Sequence, residues 1–557
     1  MRSPGWWFPA LIGGLFIAAC SDGSGPGGEP PTDCTDENTQ VLSAGQHVIL
    51  DPLLSGACVR LPAAGGGGAE YLYLPVATEG QETEEGASAP YAIAGSSPAV
   101  AAVAPERRAA LSMARQPGPA QVFHNRLRER ERTLAPGPGD AFFNQGRLEG
   151  AATPPPVVGE QRTFDVCATT TCTSFVQTTA TARVVGARVA VYVDDAAPLP
   201  GYTAPDLAHV ADVFDNHLYP IDTTAFGRES DIDGNGVVVV LLTHRVNQLS
   251  PDCNSSQSVI LGFFFGADLL PRGPSNPGSN EAEIFYGLVP DAGNPDCSIS
   301  EEFALSHLPS TFVHEFQHMI SFNQHRLVRG SNAEETWLNE GLSHFAEELA
   351  GRQVPDTECP VSGSCFSDFL AQGNVVNAFA YLQSPEDFFL IEPGNSTGQL
   401  EERGANWLFV RWLADHFAAD PVLGTDLTRQ LVMTSLVGAA NVVAHTGVPF
   451  ATLIPEWQAT NFLDDLPGFS APAARLRYKS WDFRAIAEAN SLPYPLEPDS
   501  TSGVDYSHIG ILRAGSGKHV RVVQPPGGAA VDLVLENAPV EPFPSEVDPR
   551  VALVRIR

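Results

Sequence analysis

The chain has 557 residues, a formal net charge of −33 and nine cysteines. Its length leaves room for roughly two to four domains with sizeable cores. Its acidity excludes nucleic acid as a partner, since phosphate binding rewards clustered cations. The same acidity favours solubility outside the cell and the binding of divalent cations, and it identifies no substrate.

Arg2 opens a short basic start, residues 6–19 form an apolar run, and Ile17-Ala18-Ala19-Cys20 fits a bacterial lipoprotein cleavage box. The run is too short to span a bilayer comfortably, so a removed signal peptide over residues 1–19 is the better reading than a membrane helix. Cys20 then becomes the lipid-bearing first residue, and the Gly-, Pro- and Ser-rich residues 20–33 serve as a tether. A multiply acylated cysteine holds a protein firmly at a membrane. The expected location is the bacterial cell envelope, on the periplasmic or cell-surface side. Eight cysteines remain, an even number that suits disulfides in an exported chain. They fall into sequential pairs, predicted as Cys34–Cys58, Cys167–Cys172, Cys253–Cys297 and Cys359–Cys365. No Cys-x-x-Cys is present, which argues against a thiolate zinc site.

Residues 34–95 alternate as strands do, for instance in Glu70-Tyr71-Leu72-Tyr73-Leu74, and predict a small β module. Residues 96–155 are rich in Ala, Pro and Gly and read as a linker or pro-segment. Within them the mixed charges of Arg126 to Arg132 predict a helix with a solvated face. Strands follow from Thr163 to Asp194. Thr203-Ala204-Pro205 then opens an amphipathic helix carrying Leu207, Val210, Phe214 and Leu218. Asp231-Ile232-Asp233-Gly234-Asn235-Gly236 begins like a calcium loop, but the twelfth position is Leu242 where a bidentate Glu is needed. A tight turn feeding the apolar strand at 237–242 is the preferred reading, with calcium left open as a second ion.

His314-Glu315-Phe316-Gln317-His318 comes next. On a helix, positions i and i+4 point the same way, so His314 and His318 can offer ring nitrogens to one zinc ion. Glu315 can reach a water on that metal without binding the metal, which suits a general base. Pro309 and Ser310 predict the helix start, and Phe312, Phe316 and Met319 predict its buried face. The metzincin pattern would place Gly and His at positions occupied by Ser321 and Gln324, so that third ligand is absent. A second helix over 334–350, capped by Gly351, carries an apolar stripe of Trp337, Leu338, Leu342, Phe345 and Leu349. Glu340 lies off the centre of that stripe, where it can face the first helix. Glu334, Glu335, Glu347 and Glu348 are the competing carboxylates.

His314-Glu315-Phe316-Gln317-His318-Met319-Ile320 followed by Trp337-Leu338-Asn339-Glu340-Gly341-Leu342-Ser343 resembles the glutamate-zincin peptidases, in particular the secreted hyicolysin-like metallopeptidases. Phe226-Gly227, Ser230 to Gly236, Asn280 to Tyr286 and Gly404 to Phe409 add to the likeness, which covers roughly residues 160–470. The resemblance implies an α+β fold: a zincin-type catalytic domain of mixed sheet and active-site helices over residues 156–480. It implies zinc held by His314, His318 and Glu340, Glu315 as base, and a protein or peptide substrate. Two positions depart from related zinc peptidases. Glu401-Glu402-Arg403-Gly404 stands where zinc aminopeptidases carry Tyr-Glu-x-Gly. His344 stands where thermolysin-like sites place an aspartate that orients a ligand histidine, a task Glu347 can take instead. The group that steadies the transition state is unassigned among Tyr286, His325, Tyr381 and Arg403.

Gly394-Asn395-Ser396-Thr397-Gly398 matches G-x-S-x-G, but Pro393 precedes it where a strand must enter, so it reads as a loop. Helical text resumes at 405–417 and 427–436. Residues 481–557 return to strands and predict a separate C-terminal β module for substrate or surface attachment. The whole predicts an exported, lipid-anchored zinc endopeptidase. The alternative is a non-catalytic surface-binding lipoprotein built on β modules. Oligomeric state is not legible in the chain.

Overall fold

The computed structural model describes residues 34–55, 57–95, 118–134, 153–256, 258–394, 396–471, 475–537 and 545–557. The signal segment, Cys20 and the tether lie outside these residues, as do 96–117 and 135–152. The described chain is a mixture of helices and sheets, an α+β arrangement. No helix among the described residues is long and apolar enough to cross a membrane.

The strands in chain order are β1 (His47–Leu50), β2 (Cys58–Leu61), β3 (Ala69–Ala77), β4 (Ser88–Gly95), β5 (Gln161–Cys167), β6 (Phe175–Val185), β7 (Val189–Asp194), β8 (Val238–Leu242), β9 (Gly262–Phe264), β10 (Ile284–Gly287), β11 (Asp499–Thr501), β12 (Ser507–Arg513), β13 (Val520–Gln524), β14 (Val531–Glu536) and β15 (Pro549–Arg555). The two ends of the chain, expected as separate β modules, do not form separate sheets. They interleave, in the orders β1-β15-β3-β13-β11 and β12-β4-β14-β2. The physical reason is pairing: β3 has β15 on one side and β13 on the other, and β4 lies between β12 and β14. Neither terminal stretch could satisfy its central strand alone. Arg60 on β2 clamps Asp532 on β14 through Nε (2.7 Å) and Nη2 (2.9 Å).

Every residue of β3 is buried, because both its faces are covered. Tyr71 and Tyr73 point into the core between the two sheets, while Leu72, Leu74 and Val76 join the larger core shared with the helices. The double burial fastens the sandwich to the rest of the molecule. Cys34–Cys58, Cys167–Cys172, Cys253–Cys297 and Cys359–Cys365 are each disulfide-bonded, with Cα separations of 5.6, 4.7, 4.7 and 5.3 Å.

The second sheet runs β5-β6-β7-β8-β10-β9. Pairing is parallel through β7-β8-β10 and antiparallel elsewhere, which leaves the short β9 as an edge. All five residues of β8 are buried, since Val238, Val240 and Leu242 face one core and Val239 and Leu241 face another. On the first of these faces lie the helix Glu301–Phe322, which carries the histidines, and the helix Thr336–Gln353, which carries Glu340.

Both helices differ from their predicted bounds. The histidine helix starts more than two turns before Pro309, at Glu301, capped by Ser300, whose Oγ accepts from the Phe303 N–H (3.1 Å). Pro309 is interior, and the hydroxyls of Ser310 and Thr311 bond back to the His307 carbonyl at 3.0 and 2.9 Å. A stack of Phe312 on Phe214 (centroids 4.2 Å) and Phe285 (4.9 Å) fixes this helix on the sheet. Gly351 does not cap the glutamate helix, which continues through it to Gln353. Its small size serves packing instead: a Cβ there would stand 2.8 Å from the Leu370 side chain. Gly341 does similar work beside Glu340, where a Cβ would come within 2.8 Å of the Asn406 carbonyl oxygen on the helix Leu400–Phe417.

Candidate metal centre

His314 and His318 lie one turn apart on the histidine helix, and Glu340 faces them from the first half of the glutamate helix. All three are buried, and their ligand atoms lie within 4.8 Å of one another. The separations are more telling. His314 Nε2 and His318 Nε2 are 3.2 Å apart, His314 Nε2 and Glu340 Oε2 3.5 Å, and His318 Nε2 and Glu340 Oε1 3.6 Å. Zinc–ligand bonds of about 2.0–2.1 Å at tetrahedral angles place ligand atoms about 3.3–3.4 Å apart. The three side chains therefore stand as three corners of such a polyhedron.

The ring orientations agree. His314 Nδ1 lies 2.7 Å from Glu347 Oε1, so that nitrogen carries a proton for Glu347 and Nε2 is the one turned toward His318 and Glu340. His318 Nδ1 lies 3.1 Å from Ser343 Oγ, whose own proton goes to Gln317 Oε1. The serine oxygen is then an acceptor for the ring, 3.1 Å from Nδ1 and 3.3 Å from Nε2, and Nε2 is the nitrogen that faces His314 and Glu340. Glu347 is shared with His344 Nδ1 at 3.1 Å, and the His344 ring meets His314 edge-on at 4.8 Å. His314, His344 and Glu347 form a second cluster of ligand type, but its 2.7 Å contact is a hydrogen bond and too short for two ligands of one ion.

Glu315 Oε2 accepts from the Phe264 N–H of β9 at 2.9 Å. Burial raises its proton affinity above that of an ordinary glutamate, partly opposed by His314 and Arg128. Arg128 Nη2 stands 3.6 Å away. Burial disfavours charge on His314, but Glu340 and Glu347 outweigh it and hold its pKa up at about 10 in the absence of metal. His318 is pushed well down by burial and then by Arg128. Burial alone would raise Glu340, yet Arg403, His318 and His314 hold it well below the usual carboxylate range.

Of the four groups considered for the transition state, only Arg403 reaches the cluster, with Nη1 3.9 Å from Glu340 Oε2. Tyr286 donates to Asp268 in the opposite core, Tyr381 bonds Gln458, and His325 is fully buried beside Glu334. Ser343 was legible in principle, being one turn along the helix from Glu340. Arg128 was not, because its charge run reads as solvated. In fact Arg128 and Glu131 are buried and joined at 2.7 Å, while Arg126 and Glu129 face outward.

The calcium-like segment forms a turn into β8, with Gly234 and Gly236 at φ of +71° and +76°. Asp231, Asp233 and Glu283 gather there, and Glu283 Oε1 already accepts from Ser230 Oγ (2.6 Å) and the Ile232 N–H (2.9 Å). Ser396, in the G-x-S-x-G match, uses its Oγ to accept from the Gly398 N–H, and among the described residues no strand leads into it.

Compared with known proteins, the chain is similar to the neutral metalloprotease ShpI of Staphylococcus hyicus, with 30% identity over 143 residues. The match covers 25% of this chain and 30% of that protein. It supports kinship with metalloproteases at most. No family model matches the chain.

Proposed function

We propose that the protein is an exported zinc endopeptidase of the glutamate-zincin, hyicolysin-like kind, held at the cell envelope through Cys20. The reading rests on one observation: two histidine Nε2 atoms and a carboxylate at 3.2–3.6 Å separations, with Glu315 within electrostatic reach of His314 and Glu340. A purely structural site has no use for that fourth group, which counts against a non-catalytic surface-binding lipoprotein. The similarity to ShpI adds support for peptide or protein substrates.

His314, His318 and Glu340 would hold the ion. Zinc bound there supplies Lewis acidity that activates water and polarises a scissile carbonyl. Glu315 takes the proton from the attacking water and passes it to the leaving amine. Its hydrogen bond from Phe264 keeps Oε2 oriented, and its buried setting gives it the raised basicity that this exchange needs. Arg403, anchored on Thr397 by Nε and Nη2 at 3.1 Å each, offers its remaining nitrogen toward charge developing at the site.

The test is cleavage of a fluorogenic peptide by the full chain, with zinc content measured alongside. Chelation should abolish cleavage and zinc should restore it. Glu315→Gln should retain zinc and lose about 10²- to 10⁴-fold in turnover, the usual cost of a missing general base. Substantial turnover in that variant, or cleavage indifferent to chelator, sinks the reading.

A further inference from the structure

The helix Pro119–Leu134 packs beside the metal centre, where Arg128 and Glu131 line one small cavity with His318. On one side it grips the edge of the sheet. Phe123, fully buried, packs edge-on against Phe263 of β9 at 5.0 Å. The Ala120 N–H donates to Ser258 Oγ (3.1 Å), and Glu131 Oε1 accepts from the Gly266 N–H (2.6 Å). On the other side it grips the loop before the helix Leu400–Phe417. Asn125 Oδ1 accepts from Thr397 N–H (2.7 Å) and Oγ1 (2.6 Å), and Gln121 Nε2 donates to the Gly398 carbonyl. Between these grips, His124 lies within electrostatic reach of Arg403, Glu340 and His314, and Arg128 reaches Glu315.

A peptidase must admit a stretch of polypeptide to its metal. Here the cavity between this helix and the histidine helix, lined by Arg128, Glu131, His318 and Asn339, measures only about 20 Å³. One water needs about 10–15 Å³ on such a measure, so no peptide fits. Glu315 and Glu340 are 3% and 2% exposed with the helix in place. The cover is not simple core: its contacts to Thr397, Gly398, Ser258 and Gly266 are polar, and its outer face is charged. Polar contacts of that kind can be exchanged for water when the helix lifts.

We infer that the segment 118–134 is an autoinhibitory helix, which closes the active site from within the chain and must lift or be removed before substrate enters. This rests on the peptidase reading. The helix also sets Arg128 Nη2 3.6 Å from Glu315 Oε2, where its charge lowers the proton affinity of the base while the helix is down. Cleavage by the closed protein is then limited to the fraction of molecules in which the helix has lifted.

Asn125→Ala and Phe123→Ala, alone and combined, test this in the full chain. Each removes one grip while touching no metal-binding residue. Cleavage of a fluorogenic peptide should rise at least tenfold in the double variant, and a synthetic peptide of residues 118–134 should suppress the gain. Equal or lower cleavage in the variants overturns the inference. A second readout needs neither activity nor metal. In chelator-treated protein, diethylpyrocarbonate should modify His318 slowly in the parent chain and several-fold faster in Asn125→Ala; equal rates overturn closure. Failure of the peptidase reading looks different: faster His318 modification in the variants without any zinc-dependent cleavage. Adding Glu315→Gln to the double variant should erase the gained cleavage.

Discussion

Glu340 and Glu348 are buried carboxylates eight residues apart on one helix, and they have opposite surroundings. Glu348 is surrounded by donors: Trp407 Nε1 (2.9 Å), Trp481 Nε1 (2.8 Å), Arg352 Nε (2.8 Å) and Arg411 Nη1 (3.1 Å). Both oxygens are engaged inside the protein, Oε1 by three donors and Oε2 by one, and the carboxylate ties its own helix to the helix Leu400–Phe417 and to the segment of Trp481. Glu340 has neighbours at 3.5, 3.6 and 3.9 Å, none at good hydrogen-bond range, and Oε2 makes no hydrogen bond at all. A buried carboxylate left in that condition is costly unless something else completes it. One end of the helix is finished as structure, and the other keeps acceptor capacity that the proposed zinc ion would use. The difference shows that burial of an acid does not identify its role; the count and distance of its donors do.

The largest expected effect breaks the unfinished end. Glu340→Ala should lower zinc affinity by far more than the roughly 10- to 100-fold typical of residues that merely support a ligand. It should leave the thermal midpoint of the metal-free protein nearly unchanged. Competition with a fluorescent zinc chelator measures the first and calorimetry the second. Normal affinity in this variant refutes the ligand assignment.

Glu348→Ala should do the reverse. It leaves Arg411 with Asp415 at 3.2 Å as its remaining carboxylate partner and strips acceptors from two buried tryptophans. Breaking a buried ion pair typically costs about 3–5 kcal/mol. Urea unfolding should show that loss, with zinc stoichiometry retained in the molecules that remain folded. If instead zinc is lost and stability is kept, the two ends of the helix have been assigned the wrong way round.

The same contrast explains what the sequence discloses. His314, Glu315 and His318 are legible because their relation is local: one turn of one helix fixes which groups converge. Glu340 is nearly so, since its helix announces itself by an apolar stripe. The sandwich is not legible as one body, because β2 must find β14 across more than four hundred residues and neither strand names its partner. Pro309 misleads for a different reason. It resembles a helix start, yet Ser300 supplies a better cap upstream and the histidine helix accommodates the proline in its interior. The run from Arg126 to Arg132 misleads because alternating charge is the usual mark of a wetted face. Only Phe123 and Leu127, four residues apart and both fully buried, hint that one side of that helix is turned inward.

Glu347 sharpens the comparison most finely, because it stands between the two behaviours. Its carboxylate is held near a pKa of about 2, against the pull of burial, by His344 and then His314. Its 2.7 Å contact with Nδ1 decides which His314 nitrogen faces His318 and Glu340, where the proposed ion would sit. Glu347→Ala should therefore weaken zinc by about 10- to 100-fold, less than Glu340→Ala, because the ring loses its orientation but keeps its donor atom. Glu347→Gln retains an oxygen to accept from Nδ1–H and should recover most of that loss. A ligand carboxylate would not be rescued in this way, since an amide oxygen carries no charge to the metal. Zinc titration of the three variants thus orders them as Glu347→Gln, Glu347→Ala, Glu340→Ala from tightest to weakest. An inverted order, with Glu347→Ala weakest and Glu340→Ala normal, would transfer the ligand role to the cluster of His314, His344 and Glu347.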